Sequence, residues 1–308
     1  MSPIRLGVVG YGKIAQDQHV PALRNDPAFD LVAAATLGEP CPGVAHFASL
    51  HELLEQAADI QALAFCTPPQ GRYVQVREAL LAGKHVLVEK PPCASLGEAM
   101  ALVELAAEQG VTCLFAWHSR FAAGVEPARA WLAGKRLQSV TVQWKEDVRK
   151  WHPGQQWIWQ AGGLGVFDPG INALSIISHV LPEALFVTQA SLRFPGNRQA
   201  PIAADLSMSD AQGLAVSAAF DWDHGHDELW QIEVRCAEGC LRLTHGGAQL
   251  LIDDVPQTLE TTGEYPLLYR HFAQLIEAGR SDTDLQPLRL VADGFLLAER
   301  ATVADFVD

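Results

Sequence analysis

Through the first 120 residues, short uninterrupted apolar runs alternate with longer amphipathic stretches. The runs are IRLGVVG (4–10), LVAAAT (31–36), IQALAFCT (60–67), HVLVEK (85–90) and VTCLFAW (111–117). Runs that are apolar at nearly every position predict strands buried on both faces, the habit of parallel sheets. Between them the spacing predicts helices over 49–58, 71–83 and 95–110. Ser49 and Ser95 stand where an N-cap belongs, and Gly83 and Gly110 where a helix stops. Repeated strand–helix units predict a doubly wound sheet.

After about residue 120 the pattern changes. A helix is predicted over 124–133, followed by longer, alternating strands at 137–148, 185–194, 202–208, 214–222, 228–236 and 240–246. Short polar turns between consecutive strands predict an antiparallel sheet. Further helices are predicted over 170–180, 265–278 and 287–301. The chain therefore reads as α/β, with a dinucleotide-binding type of domain over 1–120. An α+β domain over 121–308 carries a large open, mostly antiparallel sheet.

Composition narrows the function classes. Of 308 residues, 49% are hydrophobic and 19% charged, enough apolar material for two cores and too much for a disordered chain. Twenty-two basic against 36 acidic residues leave a net charge of −14. The densest basic stretch, Lys145 to Lys150, is interrupted by Glu146 and Asp147. Nucleic acid and anionic membrane surfaces are thus excluded as partners. No apolar run reaches the ~18 residues of a membrane span. The N-terminus has no basic region followed by an apolar stretch, and a cytoplasmic protein is expected. Six cysteines without a C-x-x-C, several in apolar runs, read as free thiols. His224-Gly225-His226-Asp227 reads as a polar hairpin turn, and no metal is expected.

Gly10-Tyr11-Gly12-Lys13-Ile14-Ala15 reads G-x-G-x-x-A directly after a strand and at the start of a helical stretch. The first glycine allows the tight turn and the second lets the backbone approach a pyrophosphate. The helix N-terminus offers N–H groups and partial positive charge, and Ala15 permits close packing. This is a Rossmann dinucleotide site, with Gly10, Gly12, Lys13 and Ile14 at the phosphates. At the tip of the second strand, Thr36-Leu37-Gly38-Glu39 lacks the arginine that takes a 2′-phosphate, so NAD is expected, with NADP tolerated. Cys66, Thr67 and Pro68 are expected to form a wall beside the cofactor.

Glu89-Lys90-Pro91 ends a strand, and a lysine there points into the crevice where open α/β sheets bind ligands. A second chemical element is GGLGVFDPGIN (162–172). Asp168, followed by Pro169, is a natural helix N-cap as well as a candidate acid, and Asn172 lies one turn on. These motifs, in this order and spacing, resemble the Gfo/Idh/MocA family, and the resemblance covers essentially the whole chain. WKEDVRKWHPGQQWIW (144–159) and GGLGVFDPGINALSI (162–176) further resemble the family's aldose 1-dehydrogenases, which act on D-galactose or L-arabinose.

The resemblance implies oxidation of an aldopyranose at C1 to a lactone, with hydride passing to NAD(P). It assigns catalysis to Lys90, Asp168 and Asn172, and adds Glu89 and Lys90 to the cofactor side. It assigns the sugar to His118, Glu146, Trp151, His152, Asp168, Asn172 and Trp230. Many members have His where this chain has Asn172, and a neutral amide cannot take up a proton, so Lys90 or Asp168 is the expected acceptor. A non-catalytic NAD- and sugar-sensing protein and a carbonyl reductase are the alternative readings. A homodimer through the second domain is expected.

Overall fold

The computed structural model describes residues 2–307. Two compact units emerge: residues up to Trp117 together with Tyr265–Leu285, and His118–Glu264 together with the segment from Gln286 onward.

The first unit holds a six-stranded parallel sheet. Its strands are β1 (Ile4–Val9), β2 (Phe29–Ala35), β3 (Ala45–Phe47), β4 (Ala62–Phe65), β5 (His85–Glu89) and β6 (Cys113–Ala116), in the order β3-β2-β1-β4-β5-β6. The order reverses beside β1, the switch point at which doubly wound sheets open a crevice. The central strand β4 and the last strand β6 are buried at every position, as their unbroken apolar runs require. The helices are α1 (Val20–Arg24), α2 (Leu50–Gln56), α3 (Arg72–Leu81) and α4 (Leu96–Gln109). Ser49 accepts from Glu52 N–H and Ser95 from Glu98 N–H, the two predicted caps. Gly110 ends α4 in the left-handed region at φ 64°.

The segment 265–278, expected in the second domain, belongs elsewhere. Helix α8 (Glu264–Ala278) lies almost wholly in the first unit. Phe29 packs against Tyr269 and Phe272, with centroids 5.5 and 6.0 Å away. Asp282 then pairs with the edge of β6 through Phe115 N–H to Asp282 O (3.0 Å) and Asp282 N–H to Cys113 O (3.0 Å). Without this segment the outer edge of β6 would leave main-chain groups unpaired, a demand that no local pattern in the returning segment signals.

The second unit carries a nine-stranded mixed sheet. Its strands are β7 (Leu137–Lys145), β8 (Phe186–Pro195), β9 (Ala203–Ser209), β10 (Ala215–Asp221), β11 (Leu229–Cys236), β12 (Gly239–Thr244), β13 (Gln249–Ile252), β14 (Val255–Pro256) and β15 (Ala298–Val303). The order is β14-β13-β12-β11-β7-β10-β9-β8-β15. Helices α5 (Val125–Leu132), α6 (Val148–Trp151), α7 (Phe167–Val180) and α9 (Gln286–Leu297) complete it. Two expectations fail. The helix predicted over 287–301 stops at Leu297, and 298–303 becomes the edge strand β15, parallel to β8. The polar segment 223–227 is not a hairpin turn, because β7 lies between β10 and β11. It crosses the end of β7, with His224 N–H donating to Glu146 O (3.2 Å). Pattern alone cannot see such an insertion, since strand pairing is set by long-range packing.

Candidate active site

In the first unit the sequence-predicted residues collect at the carboxyl ends of β1, β2, β4 and β5. Gly10 has φ +87°, and a Cβ there would stand 2.8 Å from Thr67 Cγ2 and 3.0 Å from Thr67 N. Only glycine fits both that angle and that contact. A Cβ on Gly12 would meet nothing within 4 Å, so the space beside the turn is open. The helical stretch that follows contains one wide turn, Ala15–His19, and Lys13 pairs with Asp17. At the tip of β2, Thr36 Oγ1 accepts from Gly38 N–H (3.1 Å), and Leu37 is 95% exposed. Thr67 Oγ1 donates to Gln75 (2.9 Å), while Cys66 is half-buried and Pro68 exposed.

The turns after β4 and β5 are tied together by a residue that sequence reasoning missed. Arg72 is buried, and its guanidinium donates to the carbonyls of Thr67, Glu89 and Pro91. Lys90 is half-buried, between the buried Glu89 and a cis peptide bond to Pro91. The Glu89 carboxylate turns inward: it accepts from Tyr265 O–H (2.8 Å) and Lys90 N–H (2.9 Å) and meets His19 Nε2 at 2.9 Å.

In the second unit, helix α7 begins one residue before the predicted cap. Its N-cap is Val166, and Asp168 lies inside the first turn, 2% exposed. Asp168 is therefore not the helix cap. The glycines before it explain the earlier start. A Cβ on Gly163 would lie 2.1 Å from Trp157 O, and one on Gly165, at φ +56°, 2.3 Å from Pro201 O. The turn presses against the Trp157–Trp159 segment and leaves no room for side chains. Val166 N–H donates to Pro201 O (2.7 Å), which fixes the N-cap residue.

A continuous chain of contacts leads to Asp168. Trp151 leans on Trp230, 5.5 Å between centroids. The Trp230 indole N–H donates to one oxygen of the buried Glu146 (2.8 Å) and that of Trp222 to the other (3.1 Å). Trp222 meets His152 edge-on at 5.3 Å, and His152 Nε2 lies 3.3 Å from Asp168 Oδ2. His152 Nδ1 faces Gln155 Oε1 (3.2 Å), which also accepts from Trp157 (2.9 Å). Lys150 pairs with Glu228 and lies 5.1 Å from the Trp151 ring. That hydrogen bond lowers the Glu228 pKa. Asn172, half-buried, sits one turn beyond Asp168 on α7. His118, expected at the edge of the first domain, opens the second unit and pairs with Glu264 at 2.6 Å.

Trp222, which joins Glu146 to His152, was missed too, although its signal was present. Val216, Ala218 and Phe220 occupy the buried alternate positions of β10, and Trp222, just past its end, continues the alternation. Among the described residues no group of three or more His, Cys, Asp or Glu side chains could hold a metal. All six cysteines are free thiols.

Residues 4–116 match the model of an oxidoreductase family with an NAD-binding Rossmann fold, Gfo/Idh/MocA. A galactose 1-dehydrogenase of Pseudomonas fluorescens is 61% identical over 310 aligned positions, spanning all of both chains. The chain belongs to the Gfo/Idh/MocA oxidoreductase family. A crystal structure of D-galactose-1-dehydrogenase from Rhizobium etli superimposes with TM-score 0.96 at 51% identity, covering 100% of this chain and 99% of that one. An inositol dehydrogenase homologue of Azotobacter vinelandii, complexed with NAD+, shares the fold alone. It is 20% identical at TM-score 0.79, with 96% of each chain covered. The family's NAD-binding fold thus corresponds to the six-stranded sheet, and G-x-G-x-x-A to its β1 turn.

Proposed function

We propose that the chain is an aldose 1-dehydrogenase that oxidises the C1 hydroxyl of D-galactose, and of L-arabinose, to the lactone, with NAD preferred and NADP accepted. The observation that carries this reading is full-length 61% identity to galactose 1-dehydrogenase. The first unit suits a dinucleotide. The open space beside Gly12 admits a pyrophosphate against main-chain N–H groups, and Gly10 makes the turn. Thr36 and the exposed Leu37 border the ribose, and Cys66, Thr67 and Pro68 the side of the crevice. When bound, the nicotinamide supplies the hydride acceptor.

The remaining work falls to side chains. Loss of hydride from C1 requires the C1 hydroxyl to lose its proton. Lys90 and Asp168 are the titratable groups assigned to that proton, as acceptor and as stabiliser of charge on the oxygen. Asp168 receives its orientation from His152. Asn172, an amide that cannot take a proton, orients the sugar by hydrogen bonding. Trp151 and Trp230 offer apolar surface to the C–H face of a pyranose, and Glu146 fixes the plane of Trp230. His118 and His152 offer ring nitrogens to hydroxyls.

The test is the appearance of NADH over a panel of aldoses. D-galactose and L-arabinose are expected to give the highest kcat/KM. Their difference, one hydroxymethyl carbon, should separate them by no more than ~10–200-fold. Turnover confined to a ketone or imine with reduced cofactor would refute the reading. We further propose a homodimer through the open face of the large sheet. There Thr141, Ser217, Ser207 and Gln189 form one cross-strand row, lining a shallow groove of about 530 Å³. Light scattering at a monomer mass near 33.4 kDa would overturn it.

A further inference from the structure

Four polar side chains converge in the core of the first unit, directly behind Lys90. His19 and Tyr269 are wholly buried, and Glu89 and Tyr265 are 3% and 4% exposed. Glu89 Oε1 meets His19 Nε2 at 2.9 Å and accepts from Tyr265 O–H at 2.8 Å. Glu89 Oε2 accepts from Lys90 N–H at 2.9 Å. His19 Nδ1 lies 2.7 Å from the Tyr269 oxygen, and both tyrosine rings stand edge-on to the imidazole. From another side Arg72 holds the carbonyls of Glu89 and Pro91.

Such a cluster is a costly way to fill a core. Buried ionic groups are often no more stabilising than apolar residues of similar volume. Its hydrogen bonds end instead on the main chain flanking one residue. We propose that the His19–Glu89 pair, locked by Tyr265 and Tyr269, is a positioning device that fixes the backbone of Lys90 and with it the direction of the ammonium group. This rests on the reading that Lys90 handles the proton of the C1 hydroxyl. Burial disfavours a charged imidazole, but Cys66, Tyr269 and Glu89 together raise the His19 pKa well above its usual range. The groups facing the ring are thus Glu89, Tyr265, Tyr269 and Cys66, with Arg72 beyond Glu89. A charged ring donates from both nitrogens and completes the lock.

The test is a double-mutant cycle between Tyr265→Phe and Lys90→Met, read as kcat with D-galactose and NAD. Tyr265→Phe removes one hydrogen bond and keeps the ring. It is expected to lower kcat by ~10- to 10²-fold, the scale for a misplaced reacting group. KM and the NADH dissociation constant, measured by fluorescence, should stay near wild type. Lys90→Met should cost ~10²–10⁴-fold. Adding Tyr265→Phe to Lys90→Met should cost nothing more, because the network acts through Lys90. His19→Gln, which retains a donor to Glu89, should keep more kcat than His19→Leu. Unchanged kcat in folded Tyr265→Phe, or an equal loss with and without Lys90, overturns the proposal. Near-wild-type turnover in Lys90→Met instead removes the reading beneath it. If Tyr265→Phe does not fold, Tyr269→Phe, which leaves the Glu89–Tyr265 bond intact, carries the same cycle.

Discussion

Asp168 shows how far single residues are legible. Its place after a glycine turn and before Pro169 marks it as a chemical candidate and equally as a helix cap. The structure removes the second reading, since Val166 occupies the cap and Asp168 is buried beside His152. Asp168→Asn is then expected to leave folding close to wild type while lowering kcat by ~10²-fold or more. The pH profile of kcat identifies the proton acceptor. If Asp168 takes the proton, the rise of kcat with pH disappears in the variant; if Lys90 takes it, the rise survives. A wild-type kcat with an unaltered profile would show that Asp168 takes no part. His19, Arg72, Tyr265 and Tyr269 had no comparable signal. Their partners lie up to 250 positions away, and nothing local distinguishes a buried tyrosine that bonds His19 from one that merely packs.

Elements were more legible than residues, because local physics sets them. Ser49 and Ser95 cap the helices they were expected to cap, and the apolar runs of the first unit are its strands. What failed were short or context-bound elements. β3, with three residues, and β14, with two, carry too little alternation to read, and β15 forms only because β8 offers an edge. The tip of β2 is an element-scale feature with a direct consequence for the cofactor. Leu37 is 95% exposed there, so a longer side chain disturbs no core. Leu37→Arg is expected to shift preference toward NADP, because a guanidinium would pair with the 2′-phosphate, a contact of roughly 1.5–3 kcal/mol. The measurement is the ratio of kcat/KM for the two cofactors, expected to rise ~10-fold or more toward NADP. An unchanged ratio in the folded variant rejects the assignment of this tip to the ribose.

At the scale of the molecule, the first compact unit runs to Trp117 and is completed by the later segment Tyr265–Leu285. The return of 265–285 to the first unit was not legible, since it depends on an open sheet edge and on a buried histidine far earlier in the chain. That return makes the first unit's stability depend on pH. Within it, His19 is held between Glu89 and Tyr269, and its pKa stands well above the ~6.5 of an unfolded chain. The folded state therefore binds a proton that the unfolded chain releases above about pH 6.5. The resulting stability is complete below that pH and is lost as pH rises through the folded-state pKa. Burial pushes the Tyr269 phenol upward, so it stays neutral through that window. Protection factors of amides in α8, corrected for intrinsic exchange, report the opening of this unit without the second. They are expected to fall as the pH is raised in the wild type and to stay nearly flat in His19→Gln. The slope is the test, since the substitution can lower protection at every pH. Parallel curves would mean that His19 is neutral in the folded protein, with Nε2 carrying the proton toward Glu89 and Nδ1 accepting from Tyr269.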